Sequence, residues 1–236
     1  MSDFKQREVV NARLLELYGG DPFGELIRVA EEHRMGHGPE CGLFPAGPHV
    51  MRFVATLVQV AQAKRLLDIG TGLGYSALWL AKAAGTNARV EAIDRFPEHL
   101  ALARYFAEQA DLSERLEFIP GEASVILKQQ LTGPYDLIHD DGWFASQPPY
   151  FERMVELLRP GGVLTMPNWF LLEDAISGTP RRDWAEFAGP TWGEETLVYA
   201  NGLAKDSRFS ITWVISPPLG IAVKQDASER RVKNLQ

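Results

Sequence analysis

The stretch LLDIGTGLGYSALWLA, Leu66 to Ala81, joins a short apolar run to a longer one through Gly70, Gly72 and Gly74. An apolar run this short, closed by glycine, reads as a buried strand, and the run after it reads as a helix. The glycines let the connecting turn run tight and bring backbone N–H groups close to a ligand. Counted from Asp68 the spacing is DxGxGxG, with the third glycine one residue earlier than in a nicotinamide-dinucleotide turn. Tyr75 also fills a place that such a dinucleotide needs to be small.

Outward from this turn the pattern repeats. RVEAID, LEFIPG, YDLIHD and GGVLTM read as strands, separated by PEHLALARYFAEQA, ASVILKQQL and PPYFERMVELL as helices. Such alternation predicts an α/β, doubly wound, mostly parallel sheet, Rossmann-like in plan. FSITWVIS and GIAVKQ near the end read as an antiparallel edge pair. Before the turn, residues 3–18 read as a polar helix stopped by Gly19-Gly20, and DPFGELIRVAEEHRM as a second with Asp21 as N-cap and Pro22 at its first position. Gly36 to His49 is a Gly/Pro-rich loop, and Pro48 opens an apolar helix to about Gln62. The expectation is one domain over 1–236: helices and loop in 1–47, a ligand-binding core in 48–225, and a tail in 226–236.

Composition excludes several classes. The chain has 236 residues, 45% hydrophobic and 23% charged, enough to bury a real core. No run reaches the roughly 18 apolar residues of a membrane helix, and no apolar leader opens the chain. Cys41 is the single cysteine, which excludes an internal disulfide and cannot make a cysteine-based zinc site. A cytoplasmic location is expected. A net charge of −7 argues against a broad phosphate-binding face, so nucleic acid is not the expected partner. The basic residues Lys224, Arg230, Arg231 and Lys233 read as a solvated tail.

In doubly wound sheets ligands sit beyond the carboxyl ends of the strands. Asp94, 24 residues after Gly70, ends the second strand of the alternating series, where an acid can accept ribose hydroxyls. The fourth, LIHDD, ends in Asp140 and Asp141, a pair that by itself fits a metal site, a base or a turn.

With these motifs the chain resembles the class I S-adenosylmethionine-dependent methyltransferases, and within them the small O-methyltransferases that include the caffeoyl-CoA and catechol enzymes. The likeness is carried by AKRLLDIGTGLGYSALWLA, AIDRFPEHLALAR, YDLIHDDGW, YFERMVELLRPGGVL and LAKDSRFSITWVISPPLGIAVK. It implies S-adenosyl-L-methionine as cofactor, methyl transfer to a hydroxyl of a small molecule, and a homodimer. It places the cofactor against the turn of Asp68, Gly70, Thr71, Gly72, Gly74, Tyr75 and Ser76. It puts Asp94 and Arg95 at the ribose, Glu122, Ala123 and Trp143 beside the adenine, and Asp141 near the reacting methyl group. The alternatives are methylation of a tRNA wobble uridine, or cofactor binding without catalysis.

The resemblance also implies a cation such as Mg²⁺, held by two aspartates and an asparagine, and in some members a lysine base. Here Asp141 and Asn168 keep two ligand positions, but Pro167 stands at the second aspartate and Phe144 at the lysine. No complete metal site is expected, so a side chain must take the hydroxyl proton. Histidine is the obvious type. His139 precedes the Asp140–Asp141 pair, while His33, His37 and His49 flank the Gly/Pro loop; His37 and His139 join Asp141 as catalytic candidates. His99 reads as solvent-facing. The aromatic segment Trp169, Phe170, Trp184, Phe187 and Trp192 reads equally as a substrate cover or as a packed insertion or subunit contact, with Arg181 and Arg182 able to meet an acidic group.

Overall fold

The computed structural model describes residues 3–37, 41–142, 148–215 and 218–226. Three helices come first: α1 (Asp3–Leu17), α2 (Gly24–His37) and α3 (Pro48–Val60). Strands and helices then alternate: β1 (Arg65–Ile69), α4 (Tyr75–Ala84), β2 (Arg89–Asp94), α5 (Pro97–Gln109), β3 (Leu116–Pro120), α6 (Ala123–Gln129), β4 (Tyr135–Asp140), α7 (Pro148–Leu157) and β5 (Leu158–Met166). After them come α8 (Trp169–Ser177), α9 (Ala185–Ala188), α10 (Trp192–Lys205), β6 (Phe209–Ile215) and β7 (Pro218–Lys224).

The strands form one seven-stranded sheet in the order β3-β2-β1-β4-β5-β7-β6. β1 pairs in parallel with β2 and β4, while β7 runs antiparallel to both β5 and β6. The doubly wound sheet and its antiparallel edge pair are as the sequence implied. The sequence left the order within the pair open, and β7 lies between β5 and β6.

Helices cover both faces, so the central strands are buried on both sides and largely apolar rather than alternating. Successive side chains point to opposite faces, and β1 shows it. Leu66 joins Val54, Val58, Leu78 and Leu100 on one side, whereas Leu67 joins Leu127, Met154, Leu164 and Leu203 on the other. Close packing reaches the backbone at Gly220 of β7, where an added Cβ would lie 2.3 Å from the Trp169 ring.

The N-terminal helices attach through a few specific contacts. Leu26 and Ala30 of α2 enter the core. Arg52 on α3 donates to the carbonyls of Tyr18 and Gly20. Two sequence expectations are corrected here. Asp21 does not cap a helix beginning at Pro22: its Oδ1 accepts the Phe23 N–H at 3.0 Å, a turn forms, and α2 starts at Gly24. Its Oδ2 instead accepts the Tyr75 hydroxyl at 2.7 Å, pinning this turn to the start of α4. Helix α3 ends at Val60, short of Gln62, which adopts a positive φ of 50°.

Candidate active site

The exits of β1, β2, β3 and β4 converge because their turns are bonded to one another. The Gly70 and Thr71 N–H groups donate to Ile93 O at 2.9 and 3.0 Å, Gly121 N–H to Asp94 O at 2.9 Å, and Asp141 N–H to Ile69 O at 3.0 Å. Between them lies a cavity of about 390 Å³, roofed by residues 41–46 of the segment before α3. Gly70 has φ +79°, and an added Cβ would sit 3.4 Å from the Asp141 carbonyl, so the turn needs glycine both for its conformation and for this close approach. Gly72, at φ +55°, donates its N–H to Asp94 Oδ2 at 2.9 Å.

Asp94 is the hub of this wall. Its Oδ1 accepts the Phe96 N–H at 2.9 Å and lies 3.3 Å from His99 Nδ1. A carboxylate offers about four acceptor positions, so capacity remains on the cavity side. Thr71, Tyr75, Ser76 and Arg95 line the same wall, with Glu122 and Ala123 at the β3 exit and Asp141 at the far end. Tyr75 donates its hydroxyl to Asp21, and burial first, then this bond, pushes its phenol well above the usual tyrosine range.

Two residues of the expected cofactor set stand back from the cavity. Asp68 is fully buried behind the turn and accepts the Ser76 hydroxyl at 2.7 Å, so its part is to brace the start of α4. Gly74 faces α5, where an added Cβ would lie 3.0 Å from Ala103 Cβ, so it serves helix packing. Trp143 and Phe144 lie outside the described residues.

Asp68, Asp140 and Asp141 form a group of carboxyls at low dielectric. Burial, with Asp94 as a smaller cause, raises Asp68 to about 6, and burial with Asp68 nearby raises Asp140 to about 7. Asp141 is pushed well above the usual carboxylate range by burial and by both neighbours. Asp140 serves as a turn residue through Oδ1, which accepts the Gly142 N–H at 3.1 Å and the Tyr150 hydroxyl at 3.3 Å, while its buried Oδ2 has no hydrogen-bond partner among the described residues. A hard cation does not fit these residues. The Asn168 Nδ2 donates to Asp141 O and Gly142 O, both at 3.0 Å, which ties this side chain to the loop. Pro167 offers no carboxylate, and one charged side chain is a poor set for Mg²⁺.

The histidine expectations are largely redrawn. His139 does not line the cavity: it is fully buried in β4, with Nδ1 2.9 Å from Thr165 Oγ1, and burial lowers its pKa to about 4. A neutral, enclosed imidazole of this kind is a packing residue. His37 is exposed at the end of α2, with Nδ1 2.9 Å from His33 O, and borders a second cavity. His49 sits in the first turn of α3 and lines neither cavity. His99 is the opposite of the expectation. It is 2% exposed and contributes to the walls of both cavities, because the first turn of α5 tucks under residues 41–44.

The aromatic segment divides. Phe170 lines the cavity together with Phe44 of the roof. Trp169 is packed over β7, and Trp184 is buried with its Nε1 donating to Asp174 Oδ2 at 2.7 Å. Arg181 is occupied by Glu173 and Asp174, whereas Arg182 stacks on Phe44 and Trp184, each about 5.0 Å from the ring centroid. Sequence reasoning missed Tyr150 and Phe44. Nothing local marks Tyr150, which reaches the site from α7 on the far side of the Asp141 loop.

The O-methyltransferase family model matches residues 42–213, which span the roof, the glycine turn and six of the seven strands in whole or in part. The chain belongs to the O-methyltransferase family. A catechol O-methyltransferase of Niastella koreensis is 35% identical over 127 residues, covering 51% of this chain and 56% of the relative. Matching this and a Mycobacterium tuberculosis catechol O-methyltransferase at 33% identity, the chain spans about half the length of the curated relatives. Among solved structures, an O-methyltransferase from Bacillus cereus in complex with SAH superposes with TM-score 0.69 at 25% identity, over 86% of this chain and 90% of that one. An SAH-bound methyltransferase of Podospora anserina shares the fold, with TM-score 0.78 at 20% identity over 96% and 98% of the two chains. In this family member the turns that make the cavity are those the glycine motif announced.

Proposed function

We propose that this chain transfers a methyl group from S-adenosylmethionine to a hydroxyl of a small molecule, without a divalent cation. One observation carries the reading: a glycine turn at a strand exit, Asp94 with free acceptor capacity, and the half-buried Asp141 all face one cavity. When bound, S-adenosylmethionine supplies an electrophilic methyl on a sulfonium. Asp94 accepts the ribose hydroxyls, the Glu122–Ala123 turn flanks the adenine, and Gly70 admits the ligand close to the backbone. Asp141, beside Asp68 and Asp140, gives the reacting end a negative field that favours a sulfonium. Burial and the two neighbouring carboxyls raise Asp141 well above the usual carboxylate range, which makes its ionised form a stronger base, so Asp141 takes the acceptor proton. Positioning between Phe44, Phe170 and Tyr150 supplies the remainder.

The same reading extends to the whole chain: one methyltransferase domain over 1–236, in the cytoplasm, acting as a homodimer. Val10, Leu14 and Leu17 form an exposed apolar stripe on α1 that suits a subunit contact. Light scattering at micromolar concentration tests the dimer. The chemistry is tested by titrating S-adenosylhomocysteine calorimetrically and by assaying turnover on catechols in EDTA. Micromolar binding with EDTA-resistant turnover supports the reading. Binding without turnover on any hydroxylated acceptor leaves a cofactor-binding protein, and activity restored only by Mg²⁺ refutes the cation-free mechanism.

A further inference from the structure

The roof of the cavity brings together residues that are far apart in sequence. His33 of α2, Cys41 of the roof and His99 of α5 each direct a ligand-capable atom toward the others, all within 4.8 Å. Cys41 Sγ lies 3.5 Å from His99 Nε2. In a tetrahedral zinc site, Zn–S near 2.3 Å and Zn–N near 2.0–2.1 Å put sulfur and nitrogen about 3.6 Å apart. The pair therefore already stands at the spacing of one tetrahedral edge, and His33 closes the triangle with a small side-chain movement. We propose that His33, Cys41 and His99 bind a zinc-class divalent cation, with the fourth position open to the adjacent cavity.

The surroundings suit such an ion. Metal-bound histidines characteristically turn their other ring nitrogen to a carboxylate. His99 does so in advance: with Nε2 at the thiol, its buried Nδ1 lies 3.3 Å from Asp94 Oδ1. The second cavity, about 670 Å³, is walled by the three ligands and by His37, Arg95, Glu98, Glu122 and Glu186, so carboxylates outnumber the one guanidinium facing it. His33 is held toward its neutral, ligand form by burial and by His37 and His99. Burial also keeps the Cys41 thiol protonated. An incoming ion displaces that proton to form a thiolate–metal bond, with no change of oxidation state. A set of two imidazoles and one sulfur selects zinc or cobalt over magnesium or calcium. This proposal departs from the sequence expectation that a single cysteine cannot make a cysteine-based zinc site, because two histidines join it here.

The test uses the full chain without an affinity tag, freed of metal by chelator and dialysis. Zinc chloride titrated calorimetrically is expected to bind one ion per chain with Kd of about 1 µM or tighter. Cobalt(II) is expected to give tetrahedral visible bands with a thiolate charge-transfer band, and a tenfold excess of Mg²⁺ to displace neither ion. Because Cys41 is the only thiol, zinc should also slow its labelling by a disulfide reagent in the unmutated protein. Cys41→Ser and His33→Gln, checked for folding by circular dichroism, are each expected to weaken zinc at least about tenfold. Absence of one-to-one binding, a cobalt spectrum without the thiolate band, or unchanged labelling overturns the proposal. None of these readouts needs methyl transfer, so this site and the proposed activity fail or stand separately.

Discussion

Asp94→Ala separates the ribose contact from the turn that presents it. Asp94 is 9% exposed, and its two oxygens hold the Gly72 and Phe96 N–H groups at 2.9 Å each. Hydrogen bonds to a charged acceptor contribute about 1.5–3 kcal/mol each, so two ribose hydroxyls at the lower end amount to ~3 kcal/mol, or roughly 150-fold in Kd. The turn loses two anchors as well. At about 1 kcal/mol for each N–H, with 2–4 °C per kcal/mol for a domain of this size, the melting temperature should fall by roughly 4–8 °C. Calorimetry with S-adenosylhomocysteine and scanning calorimetry of the free protein read the two effects independently. A Kd within about threefold of wild type, alongside the expected drop in melting temperature, would place the ribose elsewhere and refute the reasoning.

Three further outcomes are expected. Tyr75→Phe removes the hydroxyl bond to Asp21 and should cost about 1–2 kcal/mol, with faster proteolysis at Gly19-Gly20; an unchanged cleavage rate would mean that Arg52 alone holds the N-terminal helices. Asp140, raised to about 7, and Asp141, raised well above its ordinary value, bind protons more tightly folded than unfolded, so their stabilisation is present at low pH and lost as pH rises, for Asp140 through about 7. His139, lowered to about 4, works in the opposite direction but only below its unfolded value, so from about pH 6.5 to about pH 8 the ligand-free protein should lose melting temperature, and Asp140→Asn should flatten the slope. Pro167→Asp should create or tighten Mg²⁺ binding beside Asp141 without being needed for turnover, and activity that depends on the new aspartate would contradict the cation-free mechanism.

The legible parts of this chain were those whose cause is local. Glycines at fixed offsets from an apolar run marked the β1 turn, and a strand-end acid marked Asp94, because backbone conformation and strand period are written in neighbouring residues. The order of β6 and β7 was not legible, since both read as plain edge strands and only long-range pairing distinguishes them. Asp68 illustrates a different limit. It belongs to the glycine motif, yet its side chain turns inward to Ser76, and the motif does not say which members face the ligand. His99 misled for the converse reason: a polar residue near a helix start reads as exposed until a distant roof covers it. The Cys41–His99 contact bridges 58 positions, beyond the reach of any spacing argument.

The placement of β7 has a consequence for how the chain is made. β6 is bonded to the sheet through β7 alone, and β5 meets β7 on its outer edge. During synthesis β6 leaves the ribosome before β7, so it has no berth, and the apolar edge of β5 stays bare until Pro218–Lys224 follow. A chain stopped before Pro218 would expose two unpaired strand edges at once, each a template for intermolecular pairing. The last strand among the described residues goes into the interior of the sheet, so its arrival, rather than that of the glycine turn, is what closes the edge of β5 to neighbouring copies.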